Sequence, residues 1–220
     1  MTRYGKLATG LLGAWFFFVL SASAMRLFRY DAERVGAAVA LAALVPILLF
    51  LPWFAASPRF RQFALSLNPR TLTYLQSWRV GGYVFVALEM HGILPALFAL
   101  PAGYGDMMIG ATASLVAWKL AVPGHRTAFM VWQAAGIADL VMAVGLGTTA
   151  PWLDPQGTSM SAMTALPLSL VPTFFVPLLL IFHVICIAQA RAWKTASEDG
   201  RDAAGRVDGL LGGTDTIPSR

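Results

Sequence analysis

Five ionisable side chains stand inside long apolar runs of this sequence: Glu89, His91, Asp106, Asp139 and His183. Carboxyl and imidazole groups in such surroundings bind and release protons, hold cations, or ligate a metal ion where several converge. Glu89 and His91 are two residues apart, about 200° around a helix, so one partner does not meet both. Gly92 and Pro95 follow, and a proline there frees the carbonyl of His91 and kinks a helix. The two aspartates share a pattern, Gly103-x-x-Asp106-x-x-x-Gly110 and Gly136-x-x-Asp139-x-x-x-Ala143. Steps of three and four keep each Asp on one face with small residues, which let membrane helices approach closely. Each Asp is then expected to face a neighbouring helix. The plainer alternative makes them packing contacts or, for Asp106, a helix start. Arg79, His183 or an aspartate across the bundle are the expected partners of Glu89. His183 and Cys186 lie one turn apart, a pair that can bind metal, although two ligands on one helix specify little. His125, beside Arg126, reads as a surface residue.

These groups sit in an unusual background. The 220 residues are 57% apolar, with 16 Lys and Arg, 11 Asp and Glu, and 12% charged overall. A soluble domain carries about 25% charged residues, so soluble enzymes and disordered regulators are excluded. One cysteine rules out a disulfide framework and a cysteine-based zinc module. The fold class expected is all-α, a polytopic transmembrane helical bundle spanning residues 1–190. Six stretches reach the roughly 20 apolar residues a membrane helix needs: 7–25, 35–56, 78–100, 102–122, 129–147 and 166–189. The third and fourth meet at Pro101–Gly105, read as a tight turn, and the fourth and fifth at a Pro-Gly turn at Pro123. On this count Glu89, His91 and Asp139 lie near mid-bilayer, Asp106 nearer the outside and His183 nearer the cytoplasm. In the sixth stretch, prolines 167, 172 and 177 make the outer half irregular.

Orientation follows from the basic residues. With both termini cytoplasmic, thirteen Lys and Arg fall on the inner side and three on the outer. Trp53, Trp78, Trp118, Trp132 and Trp193 fall at the inner span ends, as an interfacial belt would. The net charge of +5 therefore reads as topology, and no nucleic acid is expected as a partner. Ala22-Ser23-Ala24 after the first apolar run imitates a cleavage site; cleavage would leave five spans. Residues 57–77 read as a short interfacial helix and elbow feeding the third span, with Phe60, Phe63, Ala64 and Leu67 at helical spacing. Residues 191–220 read as a disordered cytoplasmic tail.

No Walker loop, HExxH, histidine box, G-x-S-x-G or CxxCH occurs. The stretch from Gly92-Ile-Leu-Pro95 through Pro101-Ala-Gly103-Tyr-Gly105-Asp106, with Gly136-Ile-Ala-Asp139 and Pro167-Leu-Ser-Leu-Val-Pro172-Thr-Phe, resembles uncharacterised bacterial inner-membrane proteins. That resemblance implies a membrane bundle in the cell inner membrane and carries no activity with it. Three functions compete. The first is a site of Glu89, Asp106 and Asp139, modulated by Arg79 or His183, that binds or transports a small molecule or ion with proton coupling. The second is a haem or metal enzyme using His91 and His183, the one reading that brings in a cofactor. The third is a scaffold or accessory subunit. The expected partners are the lipid bilayer and a small molecule or ion, with a homo-oligomer left open.

Overall fold

The computed structural model describes residues 3–29 and 37–193, and every regular element among them is helical. The tail expected from residue 191 falls, from residue 194 on, outside the described residues, as do Asp31, Glu33 and Arg34.

Helix α1 (Arg3–Ala24) is mainly apolar after Lys6, and α2 (Ala37–Ala56) is apolar throughout. A short helix follows, α3 (Pro58–Leu65), its first turn capped by Ser57 Oγ, which accepts from the Phe60 amide at 3.3 Å. Phe60 and Ala64 point inward, so the elbow expected at residues 57–77 includes a real amphipathic helix. Asn68 then caps α4 (Pro69–Tyr74) through Oδ1, which accepts from Arg70 N at 2.9 Å, with Pro69 in the first helical position. A tighter 3-10 stretch (Leu75–Gly82) and α5 (Tyr83–Met90) continue it without a break. Together they form one helical column over residues 69–90.

That column ends at Gly92, not at Pro101. Gly92 adopts φ of +68°, its amide bonds to Glu89 O at 2.8 Å, and Ile93 N bonds to Leu88 O at 2.9 Å. This is a Schellman cap, which a residue without Cβ closes at low steric cost. Pro95 follows and starts α6 (Ala96–Lys119), whose interior carries Pro101. The Pro101–Gly105 stretch, read from sequence as the hairpin turn, is therefore helical, and the turn is His91–Pro95. Helix α7 (Arg126–Leu153) comes next, then a 3-10 turn (Met160–Thr164), a π-helical turn (Val171–Phe175) and α8 (Val176–Arg191). The irregularity expected from the sixth-stretch prolines falls in that π turn and the segment before it.

The 69–90 column packs along α6, which also packs on α7; α7 packs on α8, while α1 and α2 lie against the π turn. Burial is inverted relative to a water-soluble protein. Phe18 and Leu49 are each 68% exposed and Trp118 73%, whereas Arg79 is 3% exposed and Gln133 and His183 are fully buried. Apolar side chains outward and polar ones inward suit a hydrocarbon solvent. Four helices, Arg3–Ala24, Ala38–Ala56, Pro123–Leu153 and Val171–Arg191, are long and apolar enough to cross a membrane.

Candidate functional site

Moving the hairpin turn from residue 101 to residue 92 shifts Arg79 and Asp106 to mid-helix and Glu89 and His91 to a helix end, while Asp139 stays mid-helix. Arg79 becomes the middle of the 69–90 column, and Asp106, Asp139 and His183 lie near the middle of α6, α7 and the last helix. Four helical columns thus bring one polar residue each to the same level.

Arg79 is the hub. Its Nε donates to Asp106 Oδ1 at 2.7 Å, and its Nη2 donates to Asp139 Oδ2. Nη1 donates to the Gly136 carbonyl at 3.4 Å and meets His183 Nε2 at 3.3 Å. Since Nη1 has only protons to offer, His183 Nε2 accepts and Nδ1 carries the hydrogen, which it donates to Gln133 Oε1. Gln133 Nε2 donates in turn to Thr73 Oγ1 at 3.0 Å, and that hydroxyl lies 3.8 Å from Cys186 Sγ. The chain of donors therefore runs one way, from Arg79 through α7 and α8 and back to α4.

Small residues make these approaches possible. A Cβ on Gly136 would overlap the His183 ring, and one on Gly105 would overlap the Asp139 carboxylate. Gly110 lies against the backbone of Val80, so the small-residue stripe read around Asp106 faces the 3-10 stretch that carries Arg79. The aspartates do face neighbouring helices.

The charges do not cancel. One guanidinium faces two carboxylates, and the imidazole is neutral by its hydrogen bonds, so one negative charge is in excess with both aspartates ionised. Asp139 Oδ1 is buried with no hydrogen-bond partner. Asp106 Oδ2 has no donor among the described residues, and Asp106 lines a cavity of about 80 Å³ between α2, α6, α7 and the π turn.

The other candidates lie elsewhere. Glu89 is in the last turn of α5 and makes no ion pair or hydrogen bond among the described residues. His91 is exposed and bonds back to Ala87 O of its own helix at 2.7 Å. His91 and His183 share no partner, and among the described residues no group of three His, Cys, Asp or Glu could hold a metal ion. Cys186 is buried against Thr73 and Pro69, one turn from His183 but turned to different partners. Gln133 and Thr73 were not among the sequence candidates; an uncharged polar residue in an apolar run is the signal that marks Gln133, whereas Thr73 lies in the polar stretch from Asn68 to Ser77 and carries no such signal. Arg79 was placed near a span end, and the Asn68-Pro69 cap, nine residues ahead of the expected helix start, is what moves it inward.

No curated protein and no solved structure matches the chain. Residues 34–191 match a domain of unknown function (DUF8737), a range that holds the whole Arg79 cluster and α2 through α8. The match spans most of the chain, and the protein belongs to that uncharacterised family.

Proposed function

We propose that this protein is a multi-pass inner-membrane protein with six spans and cytoplasmic termini, binding a small molecule or ion at the Arg79–Asp106–Asp139–His183 cluster with proton coupling. The 69–90 column and α6 supply the two spans beyond the four most apolar helices. Arg79 and Asp106 lower the hydropathy of these two columns, and both side chains are turned inward. Twelve basic residues remain on the cytoplasmic side once Arg79 is drawn into the interior, against three outside.

The observation that carries this reading is the uncompensated charge. Ionisable groups inside a span cost about 2.5–3.5 kcal/mol each on insertion scales. A cluster built only for packing needs one carboxylate per guanidinium, whereas this one keeps a second. A proton or a cationic ligand completes it, and occupancy by one displaces the other.

A scaffold role rests on a different observation: Arg79 reaches acceptors on three other helices, which locks them together. The two readings separate in one experiment. Protein in lipid nanodiscs is screened for thermal stabilisation by organic cations, inorganic cations, anions and neutral compounds at two pH values. The binding reading expects a cation that stabilises the wild type in a pH-dependent way and loses that effect in folded D139N. No stabilising compound, together with loss of assembly in D139N, favours the scaffold.

A further inference from the structure

The cavity above Asp106 has a chemical polarity of its own. Its wall is apolar, with Ala43 of α2, Phe98 of α6, Ala143 of α7 and Met163 among its residues. Among the described residues three polar side chains line it: Asp106, Thr148 and Thr164. Both threonines have spent their hydroxyl protons, Thr148 on Val144 O at 2.9 Å and Thr164 on Ser161 O at 2.7 Å. Neither hydroxyl has a proton left for a ligand, only lone pairs, and Asp106 adds a carboxylate whose Oδ2 has no donor among the described residues. Among the described residues, the lining holds side-chain acceptors and no free side-chain donor.

That pattern selects a ligand class. An anion or a carbonyl compound would leave its acceptors unpaired in an apolar chamber. A bare metal cation needs several oxygen ligands, and the chamber holds one carboxylate among hydrocarbon walls. A protonated amine on an apolar body satisfies both halves: its N–H groups meet Asp106 Oδ2 and a threonine oxygen, and its carbon skeleton fills the rest. Its single positive charge also offsets the negative charge left over by the Arg79 cluster. The volume, several times the ~10–15 Å³ that one water requires, suits a small organic molecule.

We infer that the cavity takes a small lipophilic amine in its protonated form, with the ammonium at Asp106 and the apolar body between α2, α7 and the π turn. This rests on the binding function proposed above and names the class of its ligand.

The test uses the full chain in nanodiscs and three probes of one shape: 2-phenylethylamine, 2-phenylethanol and phenylacetate. Binding is measured by isothermal titration, with empty nanodiscs subtracted. The amine is expected to bind saturably, one per chain, at least about tenfold tighter than the alcohol, with the carboxylate weaker still, because charge-assisted hydrogen bonds exceed neutral ones. D106N is expected to erase the preference for the amine. A143L, which fills the cavity and alters no charge, is expected to remove amine binding while the thermal transition persists; this variant decides the location if D106N does not fold. Equal binding of amine and alcohol, both lost in A143L, overturns the amine assignment and leaves a small-molecule site standing. Amine binding that survives A143L unchanged overturns the location. Failure of all three probes overturns the amine assignment, and the cation screen described above then decides separately whether the cluster binds anything.

Discussion

Arg79 and Asp139 lie 60 residues apart in the chain and form a buried ion pair, Arg79 Nη2 donating to Asp139 Oδ2, at the centre of the helical bundle. Asp106 holds the same guanidinium from a third helix. The arrangement makes one side chain answer for the relative depth of the 69–90 column, α6 and α7.

Removing one member of this group leaves the others charged and buried. Arg79→Met is expected to be the most damaging single change, because it strands two carboxylates side by side. Breaking a buried pair costs about 3–5 kcal/mol, so the variant should lose its thermal transition or assemble poorly. Replacing all three, with Arg79→Met, Asp106→Asn and Asp139→Asn together, should recover much of that loss. Thermal unfolding in detergent compares the two; a triple variant no better than the single one would show that the cost is steric.

Gly136 separates close packing from helix propensity. Gly136→Ala places a Cβ against the fully buried His183 ring and should destabilise by about 1–3 kcal/mol, the range for overpacking. Gly145→Ala, in the same helix, meets nothing within 4 Å and should be neutral or stabilising by up to about 1 kcal/mol. Melting temperatures of the pair, measured side by side, check the contrast.

Gln133 sets the tautomer of His183. Gln133→Leu removes the acceptor of the Nδ1 hydrogen and leaves that donor unsatisfied in the interior, a cost of about 1–3 kcal/mol. Nitrogen-15 spectra of labelled histidine should show the Nδ1–H form in the wild type and a changed pattern in Gln133→Leu. A wild-type spectrum with hydrogen on Nε2 would reverse the donor chain from Arg79 onward.

Glu89 and His91 serve as controls. Neither touches the Arg79 cluster, so Glu89→Gln and His91→Ala should leave ligand-dependent stabilisation unchanged and shift stability by no more than about 0.5 kcal/mol. Loss of a ligand response in either variant would bring the α5 terminus back into the site.

Orientation is open to labelling. In a Cys186→Ala background, exposed Gln62, ahead of the 69–90 column, and exposed Gln156, beyond α7, are each replaced by cysteine. A membrane-impermeant maleimide should modify Gln156→Cys in intact spheroplasts and Gln62→Cys only after the membrane is opened.

What the sequence determined by itself was the solvent and the kind of group to look for. Too few charges to cover a soluble surface, long apolar runs, and acids and histidines inside them follow from composition and order alone. So does the expectation that small-residue stripes turn Asp106 and Asp139 toward other helices, since helical periodicity is a local property. Depth was not legible in the same way. Apolar residues flank both Gly92 and Pro101, and hydropathy sees no difference between a turn at one and a turn at the other. The difference lies in the Asn68-Pro69 cap, the positive φ at Gly92 and the tolerance of α6 for Pro101. Only tertiary structure decided that Arg79 is the hub, that Glu89 is not part of the cluster, and that Gln133 and Thr73 are. Partners brought together from four distant helices depend on where each column starts, and a shift of nine residues moves a side chain by about 13 Å along a helix, far more than any hydrogen bond reaches.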